Sequence, residues 1–412
     1  MRVDFNINNS ASDSARYLTW SPSPLRLRLL DSPAGPDVSV TLSEERLANG
    51  GSIRFCAKPD GTYTPTLKVA LPTNGGTQMV YVRGKFGTPS KADRDVSVVA
   101  KAAAAEIGRL PVMVRVRKNA DQLTAGERDR FISAMAMLNN RGTGRFADFR
   151  NMHVAGPADD QAHGGPGFLP WHRSYLMDLE RELQAIDPSV ALPYWRFDKS
   201  APSLFTLDFI GVPDSLGTVR FGPSNPLQFW ATDGVQGIAR RQLGASPGTR
   251  ASPSIFTEAQ TLGLGGTYRL FRRMQGNPHG SAHVEYFSGS ISSIPTAAKD
   301  PLFFLLHCNV DRLWAKWQSQ RGRYKSSDAS AYDAGPSPTS LLKGHNLGDT
   351  LWPWDMDVAP PRPSTAPGGT MAASPCVPAP GRSPRVKDML DFQGVVSDSA
   401  KLGFSYDDVP AA

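Results

Sequence analysis

The placement of histidine is the feature that most constrains this chain. The 412 residues include only seven histidines, and six of them fall into two clusters. The first cluster has the spacing H-x9-H-x8-H and the second the spacing H-x3-H-x23-H. Any fold of this sequence has to accommodate two imidazole-rich groups. The clusters consist of His153, His163 and His172, and of His279, His283 and His307.

The second cluster has the spacing of a metal chelate. His279 and His283 are four residues apart, so on a helix both imidazoles would project from one face. Structural zinc sites usually employ cysteine, and helical di-iron sites employ glutamate, neither of which joins these clusters at ligand spacing. All-imidazole triads suit copper and leave coordination positions open. Asp311, one turn after His307, is interpreted as an outer acceptor that orients an imidazole.

Other notable side chains favour structural roles. His345 stands alone in a loop and is predicted to be an ordinary hydrogen-bonded residue. Cys308, beside His307, is interpreted as a small buried residue, with a redox or copper-delivery thiol as the alternative. Trp314 and Trp317 are predicted to pack in the core.

Composition excludes several classes of protein. The net charge is +7, and the basic residues are spread out rather than gathered into the stripe of a nucleic-acid-binding protein. No apolar run approaches the ~20 residues that a membrane span needs. The first residues have no apolar core of a signal peptide. The sequence therefore predicts a cytoplasmic protein without nucleic-acid or membrane partners, although export carried by a partner protein would leave no trace.

The first part of the chain is predicted to be a β domain. Over residues 1–104, about seven short stretches alternate apolar and polar residues and are separated by turn signals. This pattern is typical of an antiparallel β-sandwich of the immunoglobulin-like kind. No chemical motif occurs in it. The predicted boundary places the remaining residues, 105–412, in a second domain.

The second domain is predicted to be mainly helical and rich in loops. A capping box at Thr124–Glu127 starts one helix, a second spans about Trp171–Ile186, and a third contains His279 and His283. Asp300-Pro301 starts a fourth. Glycine (38) and proline (35) make up about 18% of the chain, against about 12% on average. The most linker-like stretch is a Pro/Gly/Ser-rich loop over residues 360–384.

Three stretches in order resemble the copper motifs of the tyrosinase and polyphenol oxidase family, in its bacterial type. HGGPGFLPWHR at residues 163–173 resembles the first copper motif. PHGSAH at 278–283 and DPLFFLLHCNVDRLW at 300–314 resemble the start and end of the second. The resemblance covers about residues 105–320, with a weaker match in the tail at GFSYD, 403–407.

The resemblance implies a type-3 dicopper enzyme. By it, His153, His163 and His172 hold the first copper ion, and His279, His283 and His307 hold the second. A four-helix bundle carries these ligands, with His153 expected at the end of the helix that begins at Thr124. Members use O2 as co-substrate to oxidise o-diphenols or o-aminophenols to quinones or quinone imines, and some also hydroxylate monophenols at the ortho position. The implied partners are a small phenolic or aminophenolic substrate and, as in some members, a helper protein that loads copper.

Several residues depart from the family pattern. Gln275 stands where many members have a glutamate that holds a water for monophenol deprotonation, and Gly280 stands where asparagine is frequent. Both changes weaken the case for hydroxylation. For Gln275 the reason is that its side-chain amide does not accept a proton at neutral pH. Gln161 replaces the cysteine that forms a thioether in plant and fungal members. Ile294 is the candidate gate over the second copper.

Two alternatives to the oxidase remain at this stage. Hemocyanins share this type of dicopper centre, so the chain could be a reversible O2 carrier. Alternatively, the N-terminal domain could cover the copper pair, as shielding domains do in some latent oxidases. A binding protein with degenerate sites is disfavoured, because all six candidate ligands are present.

Overall fold

An N-terminal β-rich region precedes a helical core. The structure is a computed structural model that describes residues 1–154, 156–244, 246–333, 343–358 and 364–411, with residues 156–158 described through their backbone. Of the predicted loop over residues 360–384, residues 360–363 lie outside the described ranges. Residues 364–384 form no helix or strand.

Nine strands build the N-terminal region. They are β1 (Arg2–Ile7), β2 (Tyr17–Leu18), β3 (Ser23–Leu30), β4 (Val38–Arg46), β5 (Ile53–Cys56), β6 (Thr66–Leu71), β7 (Thr77–Gly84), β8 (Val96–Ala102) and β9 (Ala105–Val114). One sheet has the order β1-β3-β7-β5 and the other the order β2-β9-β8-β4-β6. Neighbouring strands are antiparallel, apart from the parallel pair β2 and β9.

Alternation of apolar and polar residues gives each sheet one buried face. In β3, Leu25, Leu27 and Leu29 are buried, whereas the arginines between them are exposed. This is the period of two expected of a strand with one face in the core. Side chains of both sheets, for example Leu27 in one and Val40 and Val112 in the other, join one apolar cluster.

The strands predicted from alternation are present, and two more occur. The two unpredicted strands are β2, which has only two residues, and β9, whose alternation is interrupted by Gly108 and Pro111. The predicted boundary at residue 104 falls in the turn between β8 and β9, which pair antiparallel. A division there would separate hydrogen-bonded strands, so the β-rich region extends to Val114.

The core is built from nine helices within the described ranges. They are α1 (Ala125–Asn139), α2 (Phe146–Val154), α3 (Gly156–Ala162), α4 (Phe168–Ile186), α5 (Glu258–Leu262), α6 (Tyr268–Phe271), α7 (Ser281–Val284), α8 (Ile294–Ala297) and α9 (Leu302–Arg321). Two short hairpins and one antiparallel pair of strands distant in the chain accompany them. Their strands are β10 (Val212–Pro213), β11 (Val219–Arg220), β12 (Ala231–Thr232), β13 (Val235–Gln236), β14 (Arg240–Gln242) and β15 (Phe287–Gly289).

Two predicted helix starts are confirmed, α1 by its capping box and α9 by a contact of Asp300, which directly precedes the N-cap residue Pro301. Thr124 and Glu127 form a complete capping box at the start of α1, which satisfies two otherwise free backbone donors. At α9, a carboxylate oxygen of Asp300 accepts the backbone N–H of Leu302 at 2.9 Å. The same carboxylate pairs with the buried Arg240 guanidinium, so Asp300 also anchors β14 to the start of the helix.

The structure corrects two helix predictions. His153 was expected at the end of the helix that begins at Thr124, but α1 ends at Asn139 and His153 lies in the separate helix α2. His279 and His283 do not share one regular helix. Asn277 is extended (φ −137°, ψ 121°), His279 lies in the short wide turn Gly276–Gly280, and His283 lies in α7.

The β-rich region packs against the C-terminal tail and the far end of α4. The indole N–H of Trp20 donates to the Tyr406 carbonyl at 2.8 Å, and the Ser21 hydroxyl donates to the Gln393 carbonyl. Arg115 donates to the carbonyl of Pro188, just beyond α4. At 1.5 Å of rise per residue, Pro188 lies roughly 24 Å along the helix from His172. The contact with Pro188 is therefore remote from the histidines.

Candidate metal centre

The six clustered histidines converge in the helical core. His153 comes from α2, His172 from α4 and His307 from α9, while His163 directly follows α3. His279 and His283 come from the turn before α7 and from α7 itself. Within each triad, the candidate ligand atoms all lie within 4.8 Å of one another. The fold therefore brings together the two sets that the sequence spacing singles out.

In the first triad, each Nδ1 is committed to an oxygen acceptor. The partners are the Ile294 carbonyl for His153 (3.1 Å), the Asp159 carboxylate for His163 (2.7 Å) and the Phe168 carbonyl for His172 (2.9 Å). Because these oxygens only accept, Nδ1 carries the proton and Nε2 keeps its lone pair. The Nε2 atoms of His153 and His172 are buried without a hydrogen-bond partner.

In the second triad, His279 and His283 are arranged in the same way, whereas the Nδ1 of His307 is buried without a hydrogen-bond partner. The Nδ1 of His279 donates to the Gln275 carbonyl at 2.8 Å, and that of His283 donates to the Ile291 carbonyl at 2.7 Å. Their Nε2 atoms lie 3.3 and 3.2 Å from the Nε2 of His307. Three imidazole nitrogens thus converge on one point.

Burial keeps these imidazoles neutral. Removal from water disfavours the imidazolium form, so the pKa of every histidine in the two triads lies below its ordinary value. The pKa of His283 falls to about 4. A neutral imidazole is the form that binds a metal ion. Buried, convergent and unprotonated nitrogens without other partners are the donor set of a metal site, and all-nitrogen triads fit copper.

The two triads are adjacent. The rings of His172 and His307, one from each triad, are stacked with centroids 4.2 Å apart and an interplanar angle of 15°. Phe303 also stacks on His307, with ring centroids 4.1 Å apart. Two metal ions held by these triads would therefore be neighbours with a shared apolar wall.

A cavity of about 270 Å³ opens directly onto the imidazoles. Five histidines line it, all of the clustered ones except His172. The rest of its wall consists of Gln275, Gly280, Val284, Ile291, Ser292, Ser293, Ile294, Ala297 and Phe303. Gln275, Gly280 and Ile294, all predicted at the site, thus border the same space, and the Ile294 side chain is 45% exposed.

Asp311 does not orient an imidazole, contrary to the sequence prediction. Its carboxylate accepts hydrogen bonds from Arg173 (2.6 Å), Arg117 (3.1 Å) and the Tyr406 hydroxyl (2.6 Å). All four side chains are buried. The two cationic partners draw the carboxylate away from His307, so Asp311 ties α9 to α4 and to the tail behind the site.

The surroundings of Cys308, Trp314 and Trp317 agree with the structural roles predicted for these residues. Cys308 is fully buried, and burial raises the pKa of its thiol to about 12, so it is an inert thiol. Trp314 packs under the Arg173 guanidinium at 3.7 Å. Trp317 stacks on Phe271 with centroids 4.7 Å apart.

The outer partner of His163 was missed by the sequence analysis. The Asp159 carboxylate bonds its Nδ1 at 2.7 Å from one helical turn earlier. The D-x3-H spacing in the sequence could have indicated this contact, since residues four apart meet on a helix. His345 is a hydrogen-bonded residue, as predicted, because its Nδ1 accepts the backbone N–H of Gly167. Gln161 lies in α3, and its amide oxygen accepts the backbone N–H of Trp352 at 3.0 Å.

Known proteins are similar to this chain over the part that contains the metal centre. The model of the common central domain of tyrosinase matches residues 143–320, a range that contains all six histidines. A tyrosinase of Streptomyces antibioticus is 33% identical over 274 residues, which cover 60% of this chain and 94% of that protein. A tyrosinase of Streptomyces glaucescens is 35% identical over 279 residues with the same coverage.

The chain belongs to the tyrosinase family. As a member of the tyrosinase family, it is a type-3 copper oxidoreductase whose cofactor is a pair of copper ions, and the two histidine triads are able to hold that pair. Among solved structures, deoxygenated hemocyanin from Rapana thomasiana is similar with a TM-score of 0.47 and 21% identity, covering 72% of this chain and 70% of that chain. No helix in the described ranges has the length and apolarity needed to cross a bilayer.

Proposed function

We propose that this protein oxidises o-diphenols or o-aminophenols with O2, giving quinones or quinone imines. The observation that carries the proposal is the cavity of about 270 Å³ that opens directly onto five of the six clustered imidazoles. A single aromatic ring can reach the metal centre through it. When bound, the copper pair supplies the two-electron redox chemistry between the substrate and O2.

We assign the ligands by triad. His153, His163 and His172 would hold the first copper ion, and His279, His283 and His307 the second. The five Nδ1 hydrogen bonds to fixed oxygens support this assignment, because they orient the Nε2 atoms before any metal arrives. The Phe303 ring and the Ile291 side chain exclude water from one side of the cavity.

Hydroxylation of monophenols is proposed to be weak. The residue four before His279 is Gln275, which borders the cavity with a neutral amide. An amide can hold a water molecule but does not accept a proton from it. Catechols and o-aminophenols lose protons more readily than monophenols when oxidised, so they depend less on a base at this position.

The carrier and latent-oxidase alternatives receive little support. Among the described residues, none from 2–114 lines the cavity, and the β-rich region contacts the tail and the far end of α4 instead. A shield over the centre would have to contact the mouth near Val284 and Ile294. Both side chains are instead about half exposed.

The finer architecture is also part of the proposal. We propose that the two N-terminal sheets form a β-sandwich domain, supported by their common apolar cluster, and that its boundary lies after Val114. We further propose that α2, α4, the α7 segment and α9 act as a four-helix bundle around the metal pair. A copper-loading helper protein and a cytoplasmic location stay predictions.

Oxygen uptake by the copper-loaded protein tests the function. A monophenol, the corresponding catechol and the corresponding o-aminophenol are compared at matched copper content. We expect rapid uptake with the catechol or the aminophenol and little with the monophenol. Absence of uptake with all three, at two copper ions per chain, would contradict the oxidase proposal and favour an O2 carrier.

A further inference from the structure

We infer that the substrate of this site is a small single-ring compound whose ring carries no charged substituent at the end remote from the copper pair. The inference rests on the proposed function and deepens it, because it names the substrate class. It is carried by the charge, the exposure and the size of the cavity wall.

The cavity wall has no acidic or basic side chain within the described ranges. Apart from the imidazoles, its polar side chains are one amide, Gln275, and two hydroxyls, Ser292 and Ser293. Of the residues outside the described ranges, Arg362 is the only one with a charge. A carboxylate or ammonium group on the substrate would therefore find no oppositely charged partner on the wall.

Leaving such a charge unpaired is unfavourable. An ionised group that loses part of its water at the mouth of the cavity without gaining a partner loses more solvation free energy than a neutral group does. The rest of the wall, formed by Val284, Ile291, Ile294, Ala297 and Phe303, offers only apolar contact. A methyl or hydrogen substituent gains from that contact, whereas a charged one does not.

The mouth is the place where a remote substituent would lie. Val284 follows the ligand His283, and Ile294 supplies the carbonyl that holds His153. Their side chains are 50% and 45% exposed, so they form the rim between the imidazoles and solvent. Aliphatic side chains at this rim give the outer end of a bound ring an apolar environment.

The cavity volume sets the size of the substrate. At about 270 Å³ it lies just below the usual range of small-molecule pockets, roughly 300–1,000 Å³. An apolar cavity of about 150 Å³ accommodates benzene. The space therefore fits one substituted ring and is small for two.

A matched substrate series tests the inference. The copper-loaded full-length protein is assayed with 4-methylcatechol, 3,4-dihydroxybenzoate and dopamine, which are neutral, anionic and cationic at pH 7. We expect KM for 4-methylcatechol to be lower than for either charged compound by about tenfold or more. A KM for the anion or the cation equal to or below the neutral value would overturn the inference.

A substitution at the rim tests whether the cavity mouth causes the difference in KM. Ile294→Arg should lower KM for 3,4-dihydroxybenzoate and raise it for dopamine, because it places a cation on the rim. Leu216→Arg is the matched control, since Leu216 is 85% exposed and is not part of the cavity wall. If both variants shift KM equally, general surface charge is responsible and the inference is wrong.

Binding without turnover separates this inference from the proposed function. Calorimetric titration of the protein loaded with copper in the Cu(I) form, in the absence of O2, ranks the affinities of the same three compounds independently of catalysis, because neither oxidant is then present. A preference for 4-methylcatechol without oxidation of any compound would sink the oxidase proposal and support the charge inference. Oxidation of all three compounds, bound with equal affinities, would support the oxidase proposal and contradict the charge inference.

Discussion

His345 holds the backbone of Gly167 in place. Its Nδ1 accepts the Gly167 N–H at 3.1 Å, while its Nε2 donates to the Asp160 carbonyl at 3.0 Å. The ring is buried, and a Cβ on Gly165 would lie 2.4 Å from it. The two nitrogens thus hold the end of α3 and the loop between α3 and α4, which carries His163 to the metal centre.

Replacing His345 should loosen the first copper site. We expect His345→Leu to retain about one copper ion per chain after dialysis against a chelator, against two for the unmodified protein, because the His163 loop loses both anchors. His345→Asn can keep an acceptor for Gly167 and should retain more copper. Metal analysis gives the copper content and circular dichroism the fold. Two retained copper ions in His345→Leu would contradict the prediction.

Removing the outer partner of His163 should weaken copper binding. Asp159→Ala deletes the carboxylate that bonds His163 Nδ1 at 2.7 Å, and loss of such a partner typically costs about 10–100-fold in metal affinity. Competition with a copper chelator measures the change. Asp160→Ala is the control, because it removes an adjacent exposed carboxylate of equal charge. Equal losses of copper affinity in both variants would mean that the removed negative charge alone is responsible.

A carboxylate at residue 275 should restore hydroxylation of monophenols. Gln275→Glu places a proton acceptor on the cavity wall next to His279. Gly280→Asn can be added, since the nearest atom to a new Cβ there, the Gln275 carbonyl oxygen, is 3.4 Å away. We expect the ratio of monophenol to diphenol oxidation, measured by O2 uptake, to rise severalfold. An unchanged ratio in the double variant would show that residue 275 does not limit hydroxylation.

Loss of the Asp311 carboxylate should destabilise the core. Asp311→Ala leaves the buried guanidinium groups of Arg117 and Arg173 with one carboxylate fewer, and breaking a buried ion pair typically costs about 3–5 kcal/mol. Denaturant unfolding of the metal-free protein measures the loss. Asp31→Ala, which breaks the exposed pair with Arg2, should have no measurable effect. Similar denaturant midpoints for the Asp311→Ala and Asp31→Ala variants would contradict the stabilising role of Asp311.

Removal of the β-rich region should impair folding and not activate the enzyme. Deleting residues 1–104 leaves β9 without β8 and removes Trp20 from Tyr406, whose hydroxyl bonds Asp311 at 2.6 Å. We expect aggregation or a much lower Tm. The full-length chain with Trp20→Phe, which removes only the indole N–H, should fold with a modest loss. A well-folded truncated protein with manyfold higher activity would instead identify the region as a shield.

Local sequence patterns predicted the elements better than their connections. Alternation located β3 and β4, and the capping residues of α1 and α9 marked their starts, because these signals arise from neighbouring residues. The pattern failed at β9, where glycine and proline interrupt it, and around Asn277, where the backbone leaves the helix. The metal ligands were predictable because histidine is rare in this chain and its spacing is distinctive.

The sequence by itself determined the two histidine triads, the presence of a β-rich region and a helical core, and the family. Only the tertiary structure decided that Asp311 faces Arg117 and Arg173, that Asp159 and His345 support the His163 segment, and that the β-rich region packs away from the cavity. The reason is physical. Spacing specifies which residues share an element, whereas the partner of a buried charge or ring is set by elements that are far apart in the chain.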